Sequence, residues 1–371
     1  MLPDDARIIS VDDHVIEHAM VWQDRLPERY RARGPKVVPE DGIPIWWYDD
    51  RRYQPLGLDA VAGDDPTDFK LTPKAFEAMR PGCYDPAARL VDMDADGVFG
   101  SLSFPQFPRF AGQTFLEADD KELALLCVRA WNDFMLDEWA ACDPQRLVPM
   151  AIVPMWDPQL CAEEIRRTVA RGARAITFSE NPAALGLSSF WSHDWDPMLD
   201  ALEETDTPMC LHIGSSSRPI VPHEDAPLPV VISLLGLLSM AALSDLLFSP
   251  VFPRHPRLKV MLSECGIGWV PYMLERLDQV WSKQRHHSAV NTQRPSECFA
   301  EHVWTCFIED DAGIELRHRI GVDHILYEVD YPHSDTSWPN SRKLLAEQLL
   351  EVPDDEARLI AGENAARLLR L

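Results

Sequence analysis

The chain has 371 residues, 46% of them hydrophobic, and a formal charge of −25 from 35 Lys and Arg against 60 Asp and Glu. That length holds one large elaborated domain or two ordinary ones, and the apolar share is ample for a core. An acidic balance of this size argues against a nucleic-acid backbone as partner, which needs a basic surface, and against anionic membrane surfaces; the expected partner is a small-molecule substrate.

The first predicted strand runs from Arg7 to Asp12 and opens into Asp12-Asp13-His14-Val15-Ile16-Glu17. Residues 18–84 do not alternate cleanly between strand and helix. Their Pro-rich turns and the aromatic run Ile45-Trp46-Trp47-Tyr48 predict an inserted, hairpin-bearing excursion, placed where long loops shape substrate pockets. From Asp85 the alternation is regular. A helix through Ala88–Met93 leads to a strand at Val98–Phe104, and a longer helix follows at Lys121–Cys142, with Leu123, Leu126, Ala130 and Phe134 near helical spacing. Further strands are predicted at Leu147–Val153, Ala173–Phe178, Met209–His212, Leu258–Ser263, His302–Ile308 and Ile325–Asp330. Between them lie helices opening at Asp157-Pro158 and Asp194-Trp195-Asp196-Pro197, each an Asp cap followed by proline in the first turn. Helices at Trp269–Trp281 and Ala312–Ile320 and two more in the tail, Trp338–Leu371, complete the chain. Eight βα units favour a closed (β/α)8 TIM barrel over an open sheet. With no linker or repeat in view, residues 1–371 read as one such barrel, elaborated by the excursion after strand 1 and by C-terminal helices.

One stretch, Ala226 to Ser244, lacks any charged residue and approaches the length of a membrane span. Pro227, Pro229, Gly236 and three serines interrupt it, and basic flanks are missing. It is expected to be a helix buried on most sides, against the barrel or a second subunit, and not a span. Eight scattered cysteines without a C-x-x-C pair predict reduced, buried thiols, as in a cytoplasmic protein. Met1–Arg7 has no signal-peptide pattern.

The chemistry lies at the strand ends. Met209-Cys210-Leu211 closes on His212 and turns at once through Ile213-Gly214-Ser215. Val260–Ser263 ends on Glu264, and Ile325-Leu326-Tyr327 runs into Glu328-Val329-Asp330. A barrel builds its active site at this C-terminal rim. Asp12, His14, Glu17, His212, Glu264 and Asp330 are therefore candidate metal ligands. Four carboxylates with two imidazoles suit harder ions such as Mn²⁺ or Fe²⁺, although Zn²⁺ is compatible, and the carboxylate count favours two ions over one. Glu264 has a second reading, as an acceptor for the backbone of the following Gly-x-Gly turn, and Glu17 is either a ligand or a loop carboxylate. Asp330, His333 and Glu328 are candidate catalytic groups for moving protons. Glu328 reads equally as a carboxylate orienting a ligand or as half of a buried ion pair, and His333 as an oxyanion donor or a loop anchor.

The segments Val11–Glu17, Cys210–Gly214, Glu264–Trp269 and Glu328–His333 together resemble the amidohydrolase superfamily. The nearest likeness is to the amidohydrolase 2 branch, typified by aminocarboxymuconate-semialdehyde decarboxylase. The resemblance implies a (β/α)8 barrel with divalent metal at the strand ends that decarboxylates or hydrolyses an organic acid or carbonyl compound. It places the family's strand-1 His-x-His on Asp12 and His14, its strand-5 histidine on His212, its strand-6 position on Glu264 and its strand-8 aspartate on Asp330. The chain departs from the pattern by an Asp for the first His and a Glu where a strand-6 His is common. Two other readings stay open: a di-iron monooxygenase acting on a bulky apolar acyl substrate, and a barrel that binds a ligand without catalysis. The resemblance and the apolar helix also lead to the expectation of a homodimer.

Overall fold

The structure, a computed structural model, describes residues 1–287 and 291–371. Its main sheet is all parallel. The strands are β1 (Ile8–Val15), β5 (Val98–Pro105), β6 (Leu147–Val148), β7 (Met150–Ala151), β8 (Ala175–Ser179), β9 (Met209–His212), β10 (Val260–Ser263), β11 (Val303–Phe307) and β12 (Ile325–Tyr327). Three more, β2 (Lys36–Glu40), β3 (Ile43–Tyr48) and β4 (Arg51–Tyr53), form a separate antiparallel sheet. In the main sheet the hydrogen-bonded order is β6-β5-β1-β12-β11-β10-β9-β8-β7. Its two ends are the halves of one stave, Leu147–Ala151, interrupted where Pro149 has no N–H to give the ladder. Joining them closes eight staves into the predicted barrel. The third predicted strand is therefore present but broken. The last predicted strand stops at Tyr327, so Glu328–Asp330 lie beyond the ladder.

Two shells of apolar side chains hold the barrel. The interior plug takes residues from successive staves: Val11, Leu102, Met150, Ala175, Met261 and Leu326. The larger outer shell packs the staves against the surrounding helices. The C-terminal tail supplies the floor, because Leu368 and Leu369 join the interior plug. The tail also runs close to β1: a Cβ on Gly362 would collide with the carbonyl oxygen of Arg7 and stand 3.2 Å from the amide nitrogen of Ile9.

The excursion folds as expected into a hairpin-bearing flap over the C-terminal end of the staves. Trp46 of β3 packs on Phe107, just past β5, at 4.6 Å between ring centroids, and edge-on to buried Trp22 at 5.3 Å. The helix predicted at 121–142 is α-helical over Lys121–Phe134, then loosens into a π turn and a 3₁₀ turn. Seven of the eight cysteines are buried and all are free.

The apolar stretch departs from expectation. It forms two helical pieces, Leu228–Ser233 and Gly236–Phe248. Only the second sends residues inward, and Leu243, Leu246 and Leu247 join the outer core while the first piece buries nothing. By length and composition alone, Leu228–Phe248 would suffice to cross a membrane, yet only 33% of its most apolar window is buried. It is thus half-open and not a helix buried on most sides.

Gly362→Ala should lower the unfolding free energy by about 1–3 kcal/mol, since the collision is with backbone and not with the end of a flexible side chain. Urea denaturation would measure this, and an unchanged midpoint would mean that the tail can move off β1 freely.

Candidate metal centre

Strand β1 runs farther than its apolar residues suggest. It carries Asp12 and His14 into the ladder, both fully buried. Residues two apart share a face of a strand, so both side chains point into the barrel mouth. Strands β8, β9 and β10 end in register, with Ser179 beside His212 and His212 beside Ser263. The donor-bearing ends are therefore level. Glu264 and Asp330 follow their strands in left-handed backbone, at φ 54° and 57°. Glutamate rarely adopts this conformation and aspartate tolerates it better, and strain of this kind at Glu264 persists only where surrounding contacts enforce it.

The side chains converge on one point. His14 Nε2 lies 3.3 Å from Asp12 Oδ1, 3.4 Å from Asp330 Oδ1 and 3.3 Å from His212 Nε2. His212 Nε2 is also 3.3 Å from Glu264 Oε2. All four carboxylate oxygens of Asp12 and Asp330 are buried without a hydrogen-bond donor. Burial first, then mutual repulsion among Asp12, Glu264, Glu328 and Asp330, pushes the carboxyls of Asp12, Glu264 and Asp330 well above the usual range. Burial holds His14 well below its ordinary pKa and His212 down to about 3, so both rings are neutral. Packed neutral imidazoles facing carboxylates that lack any donor form a cavity suited to a divalent cation.

Neighbouring groups fix the orientation of these donors. His212 Nδ1–H donates to the carbonyl of Ile213 at 2.7 Å, leaving the Nε2 lone pair turned to the cluster. Its ring stacks on Phe110 at 4.0 Å, and the His14 ring stacks on His333 at 3.7 Å. His333 bridges outward, with Nδ1 at 2.9 Å from Asp330 Oδ1 and Nε2 at 3.0 Å from Gln106 Oε1.

Two supports escaped the reading of the sequence. Asp13 accepts from Ser10 Oγ and Ser101 Oγ and from the Tyr331 N–H, tying β1 to the loop after β12. Buried Arg89 donates to the carbonyls of His14 and Gly82 at 2.6 and 2.7 Å, and its guanidinium lies 4.1 Å from the Tyr331 ring centroid. An arginine within the predicted helix at Ala88–Met93 was the available signal for that second support.

Two expected roles change. Glu17 is buried but stands outside the cluster. Its oxygens accept the amide N–H of Gln106 and Phe107, at 3.1 and 2.8 Å, and the indole N–H of Trp131 at 2.8 Å. Three of its four acceptor sites are thus engaged, so Glu17 shapes the loop after β5, and it does not join Asp12, His14, His212, Asp330 and His333 in the donor groups. Glu328 supports the turn at Glu264: its Oε2 accepts the Glu264 N–H at 3.1 Å and the Cys306 thiol at 2.6 Å. With Glu17 removed, the tally that favoured two ions fails. His14 Nε2 faces Asp12, Asp330 and His212 at once, and the di-iron monooxygenase reading loses part of the carboxylate count that supported it.

A cavity of about 390 Å³ lies under the flap, walled by Trp46, Tyr53, Phe76 and Phe107, and is linked to the cluster through Gln106, the partner of His333. Gln106 and Asp59 line it on the side of His333. Among the arginines of the excursion, Arg31, Arg33 and Arg51 bond elsewhere, whereas Arg52 reaches the cavity with Lys74 and Arg109. Lys74 belongs to the excursion expected to shape the pocket, whereas Arg109 lies past β5, in a segment that no sequence pattern singles out.

An amidohydrolase family model (Amidohydro_2) matches residues 18–371. The protein named decarboxylase orsB, from Emericella nidulans, is 30% identical over 261 residues, 66% of this chain and 76% of that protein. An amidohydrolase structure from Mycobacterium avium subsp. paratuberculosis superposes with a TM-score of 0.77 at 23% identity, over 99% of this chain and 100% of the other. A 5-carboxyvanillate decarboxylase of Novosphingobium aromaticivorans, solved with manganese and 4-hydroxy-3-methoxy-5-nitrobenzoic acid, gives a TM-score of 0.69 at 18% identity, over 99% and 97% of the two chains.

Glu17→Ala should cost roughly 2–3 kcal/mol of stability by leaving buried donors unpaired, yet leave the content of tightly bound metal unchanged. Denaturation curves and elemental analysis on one preparation test both halves. Loss of metal from a folded variant would restore Glu17 to the ligands.

Proposed function

The chain belongs to the amidohydrolase family, and from that premise we propose that it is a manganese-dependent decarboxylase of hydroxylated aromatic acids, working without O₂. The observation that carries this reading is the donor-free pair of buried carboxylates, Asp12 and Asp330, facing two neutral imidazoles beside an aromatic-walled cavity with cations at its rim. The relatives reported above add support, one being named a decarboxylase and another binding manganese beside a benzoic acid.

Asp12, His14, His212 and Asp330 would hold the ion, with Glu264 alongside. Three carboxylates and two imidazoles form a harder donor set than a zinc site of histidines and thiolates, and suit Mn²⁺. Bound there, the ion supplies Lewis acidity toward the substrate's carboxylate and a neighbouring oxygen. The flap presents Trp46 and Tyr53 to the ring, while Arg52, Lys74 and Arg109 offset the negative charge of the acid.

Loss of CO₂ breaks the ring–carboxyl bond, returns its electron pair to the ring, and requires a proton at that carbon. Asp330, whose affinity for a proton is raised by burial and then by Glu328, would relay that proton to the carbon. His333, 2.9 Å from Asp330 and bonded to Gln106 at the cavity wall, replaces that proton from the solvent side.

Manganese-loaded protein incubated anaerobically with dihydroxybenzoates and 5-carboxyvanillate should release CO₂ and the matching phenol. His333→Gln should lower kcat about 10²-fold or more while manganese stays bound. Hydrolysis of lactones or amides with no acid decarboxylated would overturn the reading.

Metal uptake should also depend on pH. Raised carboxyl pKa values mean that the metal-free cluster carries protons that an incoming ion must displace, while the neutral histidines have none to lose. Apparent affinity for Mn²⁺ should therefore tighten from pH 6 to pH 8, with proton release visible by calorimetry in buffers of different ionisation enthalpy. An affinity independent of pH would contradict the protonated cluster.

A further inference from the structure

At the opposite end of the staves, the helix Asp196–Thr205 places Asp196, Asp200 and Glu203 at i, i+4 and i+7, along one face. His255, just past the helix Val251–Arg254, packs against that face and is only 2% exposed. Its Nε2 is 3.2 Å from Asp196 Oδ1. Its Nδ1 is 3.2 Å from Asp200 Oδ1 and 3.7 Å from Glu203 Oε2, yet has no hydrogen-bond partner.

The charges here are unevenly matched. Asp196 is neutralised by Arg254 at 3.3 Å and bonded to His193 at 2.7 Å. Glu203 Oε1 accepts only the backbone N–H of Arg257, at 2.6 Å. Among the described residues, no lysine or arginine pairs with Asp200 or Glu203. With Nε2–H donated to Asp196, the buried Nδ1 lone pair faces two carboxylates, an arrangement that is repulsive unless a cation lies between them.

We propose that His255 Nδ1, Asp200 and Glu203 bind a divalent transition metal, zinc foremost, at a site separate from the barrel mouth. Donors on one tetrahedral zinc stand roughly 3.3–3.5 Å apart, since zinc–nitrogen and zinc–oxygen bonds are about 2.0–2.2 Å. The two separations from Nδ1 bracket that spacing, and the three donor atoms all lie within 4.8 Å of one another. Asp196 plays the part of the carboxylate that takes the other ring N–H of a metal-bound histidine. Asp200, with 58% of its side chain exposed, gives the ion a path in and leaves a position for water. The ion would clamp the helix that feeds β9 to the segment that feeds β10. Its role is structural and stands apart from the proposed decarboxylation.

Manganese-loaded wild type and the Asp200→Asn/Glu203→Gln double variant, both given excess Zn²⁺ and then freed of unbound metal by gel filtration, would be compared by elemental analysis. The wild type should keep one zinc ion per chain more than the variant, and zinc should raise its Tm by about 3 °C or more beyond any rise in the variant. Exchange at the barrel mouth would be common to both proteins, so the difference reports this site alone. Because the substitutions keep side-chain size at one exposed and one half-buried position, folding is retained. Equal zinc content in the two proteins would overturn the proposal and leave His255 as a packing residue held by Asp196.

Discussion

Burial of like charge is the constraint on which this molecule is arranged. Asp12, Asp330 and Glu264 are brought together at the centre of the barrel mouth with neutral imidazoles for company. Such an assembly is unfavourable alone, and several surrounding features offset it. Arg89 anchors the His14 backbone, Asp13 ties the first strand to the loop after the last, and Glu328 supports the left-handed turn at Glu264. Each of these is itself buried and polar, so the mouth is a continuous polar network set within apolar shells. A cation at its centre, in place of the protons that the raised carboxyl pKa values imply, makes the whole arrangement consistent.

Much of this was legible in the sequence, for a physical reason. A buried parallel strand needs an unbroken apolar run, so a run that stops at His212 or Glu264 marks both the end of the strand and the residue held at the rim. The staves and the rim positions of His212 and Glu264 follow from that rule. Glu17 follows it too, and there the rule misleads. Nothing in Val15-Ile16-Glu17 reveals that three N–H donors, from Gln106, Phe107 and Trp131, will reach the carboxylate first. A side chain's partners are set by tertiary approach, which periodicity does not encode. The break at Pro149 could have been foreseen from the missing N–H. The open face of Leu228–Phe248 could not, since composition gives how apolar a helix is but not how much of it meets a neighbour.

Charge also changes scale between the whole chain and its pocket. The chain as a whole repels anions. The cavity under the flap nonetheless gathers Arg52, Lys74 and Arg109 from three separate segments, each countered by a carboxylate of its own: Glu40, Asp64 and Glu117. An incoming acid thus meets cations already paired and positioned, and it exchanges one anionic partner for another instead of discharging a bare cluster. Net charge describes the solvated surface, whereas recognition depends on a few groups that the fold collects.

The seam between β1 and β12 has a consequence for how the protein comes into being. The Asp330 N–H donates to the carbonyl of Asp12, and the His14 N–H to that of Tyr331. The barrel therefore closes at its centre of chemistry, between segments 318 residues apart in sequence. A nascent chain carries Asp12 and His14 long before their partners exist, and these contacts are among the most distant in sequence that the fold contains. Competence for metal thus waits for the segment that carries Asp330. A chain stopped short of Asp330 keeps most of its staves but lacks the centre they were built around.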